Sequence, residues 1–141
     1  MCKVLWADDD GCSVLAPIGF FLRRQKFTVV AAGDYRAAVD ALDNLDLKNG
    51  GLSDVSLLVD VILPHHGQGA LSSRLGIRVA EIAAGRGVQR ICLLSVIPVE
   101  EVDEAIEELR QKFDKTTFTF IWKLDLLEPN QLEALIRALR A

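Results

Sequence analysis

A chain of 141 residues, half of them hydrophobic and 26% charged, is about one domain long, can bury a real core and is too apolar for disorder. A net charge of −4, a pI near 5.1 and 16 scattered basic residues argue against the footprint that binds a phosphate backbone, so no direct nucleic-acid partner is expected. No apolar run approaches the roughly 20 residues of a membrane span, and acidic residues interrupt "MCKVLWADDD" where a signal peptide would stay apolar, which points to a soluble cytoplasmic protein.

The first strand-like run is "KVLWA" (3–7), and it leads directly into Asp8, Asp9 and Asp10. Further runs are "FTVVAA" (27–32), "VSLLVDVIL" (55–63), "RICLLSVI" (90–97) and "TFTFIW" (117–122). They are nearly continuous in apolar residues, as parallel strands covered on both faces should be. Amphipathic stretches lie between them. Over 99–113, Val99, Val102, Ile106, Leu109 and Phe113 form a helical stripe, with Glu100, Glu101 and Asp103 in its first turn. In the last segment Pro129 suits a first helical turn, and Leu132, Leu135, Ile136 and Leu139 form the buried stripe. Strand-helix alternation five times over, without repeats or linkers, predicts a single α/β domain over 1–141. Residues 64–76, "PHHGQGALSSRLG", read as a loop longer than the usual connection.

In an open parallel sheet, chemistry sits at the carboxyl ends of the strands. The first strand ends in the aspartate triplet, the fourth carries Ser95, and the fifth ends at Lys123. The second ends in Gly33 and Asp34, which look like a turn into the next helix. Asp60, inside the apolar third run, is the most informative residue, because a charge there costs several kcal/mol unless it is paired or metal-bound. With strand order 2-1-3-4-5, Asp60 faces Asp8 and Asp9 across the switch point. Carboxylates so close need a cation, and an all-oxygen site suits Mg²⁺. Lys123 and Ser95 bring an ammonium and a hydroxyl to the same edge, apt for the oxygens of a phosphoryl group.

The bland readings cover the remaining features. The cysteines (Cys2, Cys12, Cys92) are odd in number and lack metal spacing, so they read as reduced small hydrophobes. His65 and His66 read as solvated loop residues, Gly67 and Gly69 match no P-loop, and Trp6 and Trp122 read as core.

The whole chain resembles the receiver (CheY-like) domain of two-component response regulators. "VLWADDD" is similar to that family's first strand and acidic pair, and "LLVDVILP" to its phosphoacceptor motif with Asp60 and Pro64. Ser95, Lys123 and, three before the lysine, the aromatic switch position Phe120 follow in order. The resemblance implies a doubly wound, flavodoxin-like, three-layer αβα fold with a five-stranded parallel sheet. It implies that Asp60 accepts a phosphoryl group from a sensor histidine kinase or phosphotransfer protein of a phosphorelay. In the implied metal site Asp9 and Asp60 ligate Mg²⁺ through side chains, Ile62 through its backbone oxygen, and Asp8 through water. Lys123 would neutralise phosphoryl oxygens, and Ser95 and Phe120 would switch an interaction face toward a downstream protein target not named by the sequence. Any activity of its own is limited to self-phosphorylation and autodephosphorylation.

Departures accompany the match. Leu124 replaces the usual proline after the lysine, and Val96 replaces a small residue after Ser95. Ile62 and Ile97 are apolar where polar residues could place a water, so slow autodephosphorylation is expected. Two alternatives stay open. One is a receiver-like (pseudo-receiver) binding module that is never phosphorylated. The other is a haloacid-dehalogenase-like phosphatase, suggested by Asp8, Asp10 and Gly11 in "ADDDGCSV", which leaves Asp60 without a role.

Overall fold

A computed structural model describes residues 3–8, 16–63 and 74–140. The elements alternate in chain order: β1 (Lys3–Ala7), α1 (Ala16–Arg24), β2 (Thr28–Ala32), α2 (Tyr35–Asn49), β3 (Val55–Asp60), α3 (Leu75–Gly85), β4 (Arg90–Ser95), α4 (Asp103–Lys112), β5 (Thr117–Trp122) and α5 (Pro129–Leu139). The strands form one parallel sheet in the order β2-β1-β3-β4-β5, the order expected from the sequence.

Because successive side chains of a strand point to opposite faces, each apolar run supplies two cores at once. Leu5, Leu57, Val59, Ile91 and Leu93 pack against Leu42 of α2, Val79 and Ala83 of α3, and Ile106 and Leu109 of α4. Val4, Trp6, Leu58, Cys92 and Leu94 pack on the other face against Ile18 and Leu22 of α1 and Leu135 and Leu139 of α5. This double burial explains why the runs are continuous rather than alternating, and it makes the three layers. All six residues of β3, the central strand, are buried.

Local signals set the element ends. Asp34 caps α2, accepting a 2.7 Å bond from the Ala37 amide, as the turn-like Gly33-Asp34 pair suggests. Gly50, at φ +67°, closes the same helix in the left-handed region that glycine enters without strain. At the opposite end of the sheet from Asp60, Ser56 Oγ donates to the Leu139 carbonyl at 2.7 Å, and Arg90 Nε reaches Ser56 Oγ at 3.0 Å. These bonds fasten the C-terminal end of α5 beneath β3 and β4.

Several expectations need correction. The run 55–63 is strand only to Asp60, and 90–97 only to Ser95, where the serine side chain bonds its own loop and ends the ladder. The helix expected over 99–113 is split into a 3-10 turn, Val99–Glu101, and α4; Val99 is exposed rather than part of the buried stripe. Leu75 and Gly76, expected in the loop, begin α3. Trp6 is buried as expected, but Trp122 is only half-buried at the sheet edge. Cys92 is buried, and burial pushes its thiol up to about 12. Cys2, Cys12, His65, His66, Gly67 and Gly69 lie outside the described residues.

Candidate functional site

Three of the charged side chains singled out in the sequence meet at the carboxyl edge of the sheet. The β1–β3 register pairs Ala7 with Val59, so the next residues, Asp8 and Asp60, come level at the ends of adjacent strands. Lys123 opens a 3-10 segment, Lys123–Leu127, immediately after β5. Since β4 separates β3 from β5, its side chain crosses the end of β4 to reach them. Its Nζ donates to Asp60 Oδ2 at 2.7 Å and to Asp8 Oδ1 at 3.1 Å. All three side chains are buried. Asp60 Oδ1 accepts a further 3.1 Å bond from the Ile62 amide.

Burial disfavours the charged form of Asp60 and raises its pKa to about 6. Lys123 and the Ile62 amide pull it down, and the Asp8 charge pushes it up again. Burial also opposes the charge on Lys123, but Asp60 and Asp8 outweigh it and hold the ammonium above its ordinary range. Among the described residues, two buried acids thus gather around one ammonium, so acidic groups outnumber the cation.

That excess is the test for a divalent cation. The donors are carboxylate oxygens, which suit a hard ion. Among the described residues no third His, Cys, Asp or Glu joins them. Asp9, the expected direct ligand, and Asp10 lie outside the described residues. The buried oxygens therefore fit such an ion in kind.

Ser95 lies at the same edge, fully buried at the end of β4. Its hydroxyl donates to the Ile97 carbonyl at 2.9 Å and accepts from the Ile97 amide at 2.7 Å, so both its functions are turned into its own loop. Phe120 is half-buried in β5 and packs against the core shared with α3 and α4. Val96 is 53% exposed beside this loop.

Two contributors were missed in the sequence. Gly76 sits so close under β3 that a Cβ there would lie 1.9 Å from the Asp60 carbonyl oxygen, and its amide donates to Val61 O at 3.1 Å. The signal was a glycine where an apolar helix begins. Arg74 pairs with Leu63 across a parallel bridge and donates to the Glu101 carbonyl at 3.1 Å, linking the segments that follow β3 and β4. Nothing in the spacing of these two residues pointed to each other.

No family profile matches the sequence, and no curated protein matches it either. The fold does match solved structures. The chemotaxis response regulator CheY4 of Vibrio cholerae is similar over 99% of both chains, with a TM-score of 0.65 at 19% identity. A response regulator from Burkholderia pseudomallei, solved with a phosphorylated aspartic acid, calcium and citrate, gives 0.63 at 15% identity over 100% of this chain and 68% of its own. CheY6 of R. sphaeroides, in complex with the P1 domain of CheA3, gives 0.56 at 20% identity over 98% and 95%. The chain thus has the fold of response-regulator receiver domains.

Proposed function

We propose that the chain is a receiver whose Asp60 accepts a phosphoryl group from a histidine-phosphorylated partner, a sensor kinase or phosphotransfer protein. The observation that carries this reading is Lys123 buried between Asp8 and Asp60, at 3.1 and 2.7 Å, on the carboxyl edge of a receiver fold. A scaffold has little reason to bury two acids and an ammonium together.

In the transfer, an Asp60 oxygen attacks phosphorus, the P–N bond to the partner's imidazole breaks, and an acyl phosphate forms. With a pKa near 6, Asp60 is ionised and nucleophilic at neutral pH. Lys123 and the Ile62 amide hold the carboxylate in one orientation before attack, and Lys123 then meets the phosphoryl oxygens. Asp8, Asp60, Asp9 and the Ile62 carbonyl would hold Mg²⁺, which when bound supplies positive charge to the transferring group. Ser95 must give up Ile97 to donate to the phosphoryl group. Phe120 then follows it inward and alters the face around α4, β5 and α5 that a downstream protein reads.

We place this activity in the cytoplasm, with one domain over 1–141; among the described residues no helix is long and apolar enough to cross a membrane. A neighbour bound to a kinase P1 domain supports the class of partner. The self-closed hydroxyl of Ser95 favours a second reading, a receiver-like module that binds without being phosphorylated.

Labelling with acetyl phosphate decides between them. Incorporation that needs Mg²⁺ and disappears in Asp60→Asn is expected of the acceptor; label retained by Asp60→Asn sinks the assignment. With apolar Ile62 and Ile97 flanking the site, the phosphorylated form should outlast seconds.

A further inference from the structure

At the end of the sheet remote from Asp60, a cavity of about 310 Å³ opens between the first residues of β4 and β5 and the last turn of α5. Arg90, Lys115, Arg137 and Arg140 supply four cations to its lining, Gln89 and Thr117 add polar donors, and among the described residues no Asp or Glu lines it. The chain as a whole leans the other way, with a net charge of −4 even with these four cations counted. Arg90 and Thr117 are register partners, and the Thr117 amide donates to Gln89 O at 2.8 Å, so the floor is sheet backbone rather than loop.

The cations divide by what they already hold. Arg90 is half-buried and spends its Nε on Ser56 Oγ and, at 3.3 Å, on the Leu139 carbonyl. It thereby answers the negative end of the α5 dipole, which would otherwise repel an anion here. Arg140 donates to the Gln25 carbonyl at 2.9 Å and lies 5.3 Å from the centroid of the Phe27 ring, fixed at the rim. Lys115 and Arg137 are exposed and make no hydrogen bond or ion pair with any described residue. Two fixed guanidinium groups and two uncommitted cations around a small concavity match an anion with several oxygens and more than one negative charge.

We propose that this cavity binds a soluble solute carrying two or more linked phosphates, such as a nucleoside diphosphate. The volume is at the small end for ligand sites and accommodates a diphosphate rather than a macromolecule. Asp60 pairs with Leu94, four residues along β4 from Arg90, so the cavity is about 13 Å along the strand from the acidic site. An anion bound there leaves Asp60 and Lys123 untouched.

Pyrophosphate is the probe, titrated calorimetrically into the full chain without divalent cations, so that the acidic site cannot take it. Binding should weaken about tenfold or more in the double variant Lys115→Gln/Arg137→Gln and stay unchanged in Asp60→Asn. Backbone amide shifts should centre on Gln89, Lys115, Thr117 and Arg137. Both substituted side chains are exposed, and an unchanged urea midpoint confirms that the double variant is folded. Affinity no tighter than about 1 mM, indifference to the double variant, or loss in Asp60→Asn overturns the proposal. Binding to phosphatidylserine vesicles without binding to pyrophosphate overturns it too, since the site would then read a lipid headgroup.

Discussion

Replacing Lys123 with Met removes the ammonium that touches both Asp60 and Asp8 while keeping an apolar stem of similar length. Two buried carboxylates are then left side by side, and breaking a buried pair in this way costs about 3–5 kcal/mol. The cost depends on pH in a calculable direction. Asp60 already titrates near 6 with the lysine present, above its ordinary 3.8, and losing the lysine raises it further. A carboxyl raised on folding contributes stability that is full below 3.8 and lost as pH rises through the folded value. The variant therefore loses its 3–5 kcal/mol at pH 8, and about 1–2 kcal/mol at pH 5, where a proton stands in for the lysine. At an m-value of about 2 kcal/mol/M the pH 8 loss lowers the urea midpoint by roughly 2 M. The assay is urea unfolding followed by tryptophan fluorescence at both pH values, with chelator present. A loss below about 1 kcal/mol at pH 8, or the same loss at both pH values, refutes the account of a dry, shared ammonium.

Asp60→Asn should be more stable than the parent at pH 8, by up to about 3 kcal/mol, the worth of a rise from 3.8 to about 6. The difference should vanish near pH 4, measured by the same unfolding experiment. Gly76→Ala should cost about 1–3 kcal/mol and slow acetyl-phosphate labelling, because its Cβ would strike the Asp60 backbone and displace the acceptor. Cys92 should resist thiol reagents in the native state and react only as the protein unfolds, scored by peptide mass; its thiol ionises near 12, so its contribution to stability fades as pH climbs from 9 toward 12.

The parallel sheet was legible because its central strands β1, β3 and β4 are buried on both faces, so their runs announce parallel strands without any help from local propensity, whereas the edge strands β2 and β5 are only partly buried. Asp60 and Lys123 were legible because charge is rare at such positions. What Lys123 does in the resting protein was not. A cation was expected from solution, whereas the lysine itself crosses β4 to pair with both acids. Ser95 was placed at the right edge, but its bonds to Ile97 depend on how the backbone turns after β4, which no residue spacing encodes. Ser56 escaped notice because a serine in an apolar run looks like a tolerated small residue; its partner, the Leu139 carbonyl, is 83 residues away.

That same serine sets how α5 can respond to events at the acidic edge. Ser56 and Arg90 grip the last carbonyl of the helix, while its first turn abuts the 3-10 segment that begins with Lys123. Sliding the helix along its axis breaks both bonds; swinging it about the gripped end breaks neither. Eleven residues make a lever of about 16 Å, so a tilt of ten degrees carries the free end through roughly 3 Å. A small change in where Lys123 points is thus geared toward rotation, and the surface of α5 nearest the acidic edge moves most.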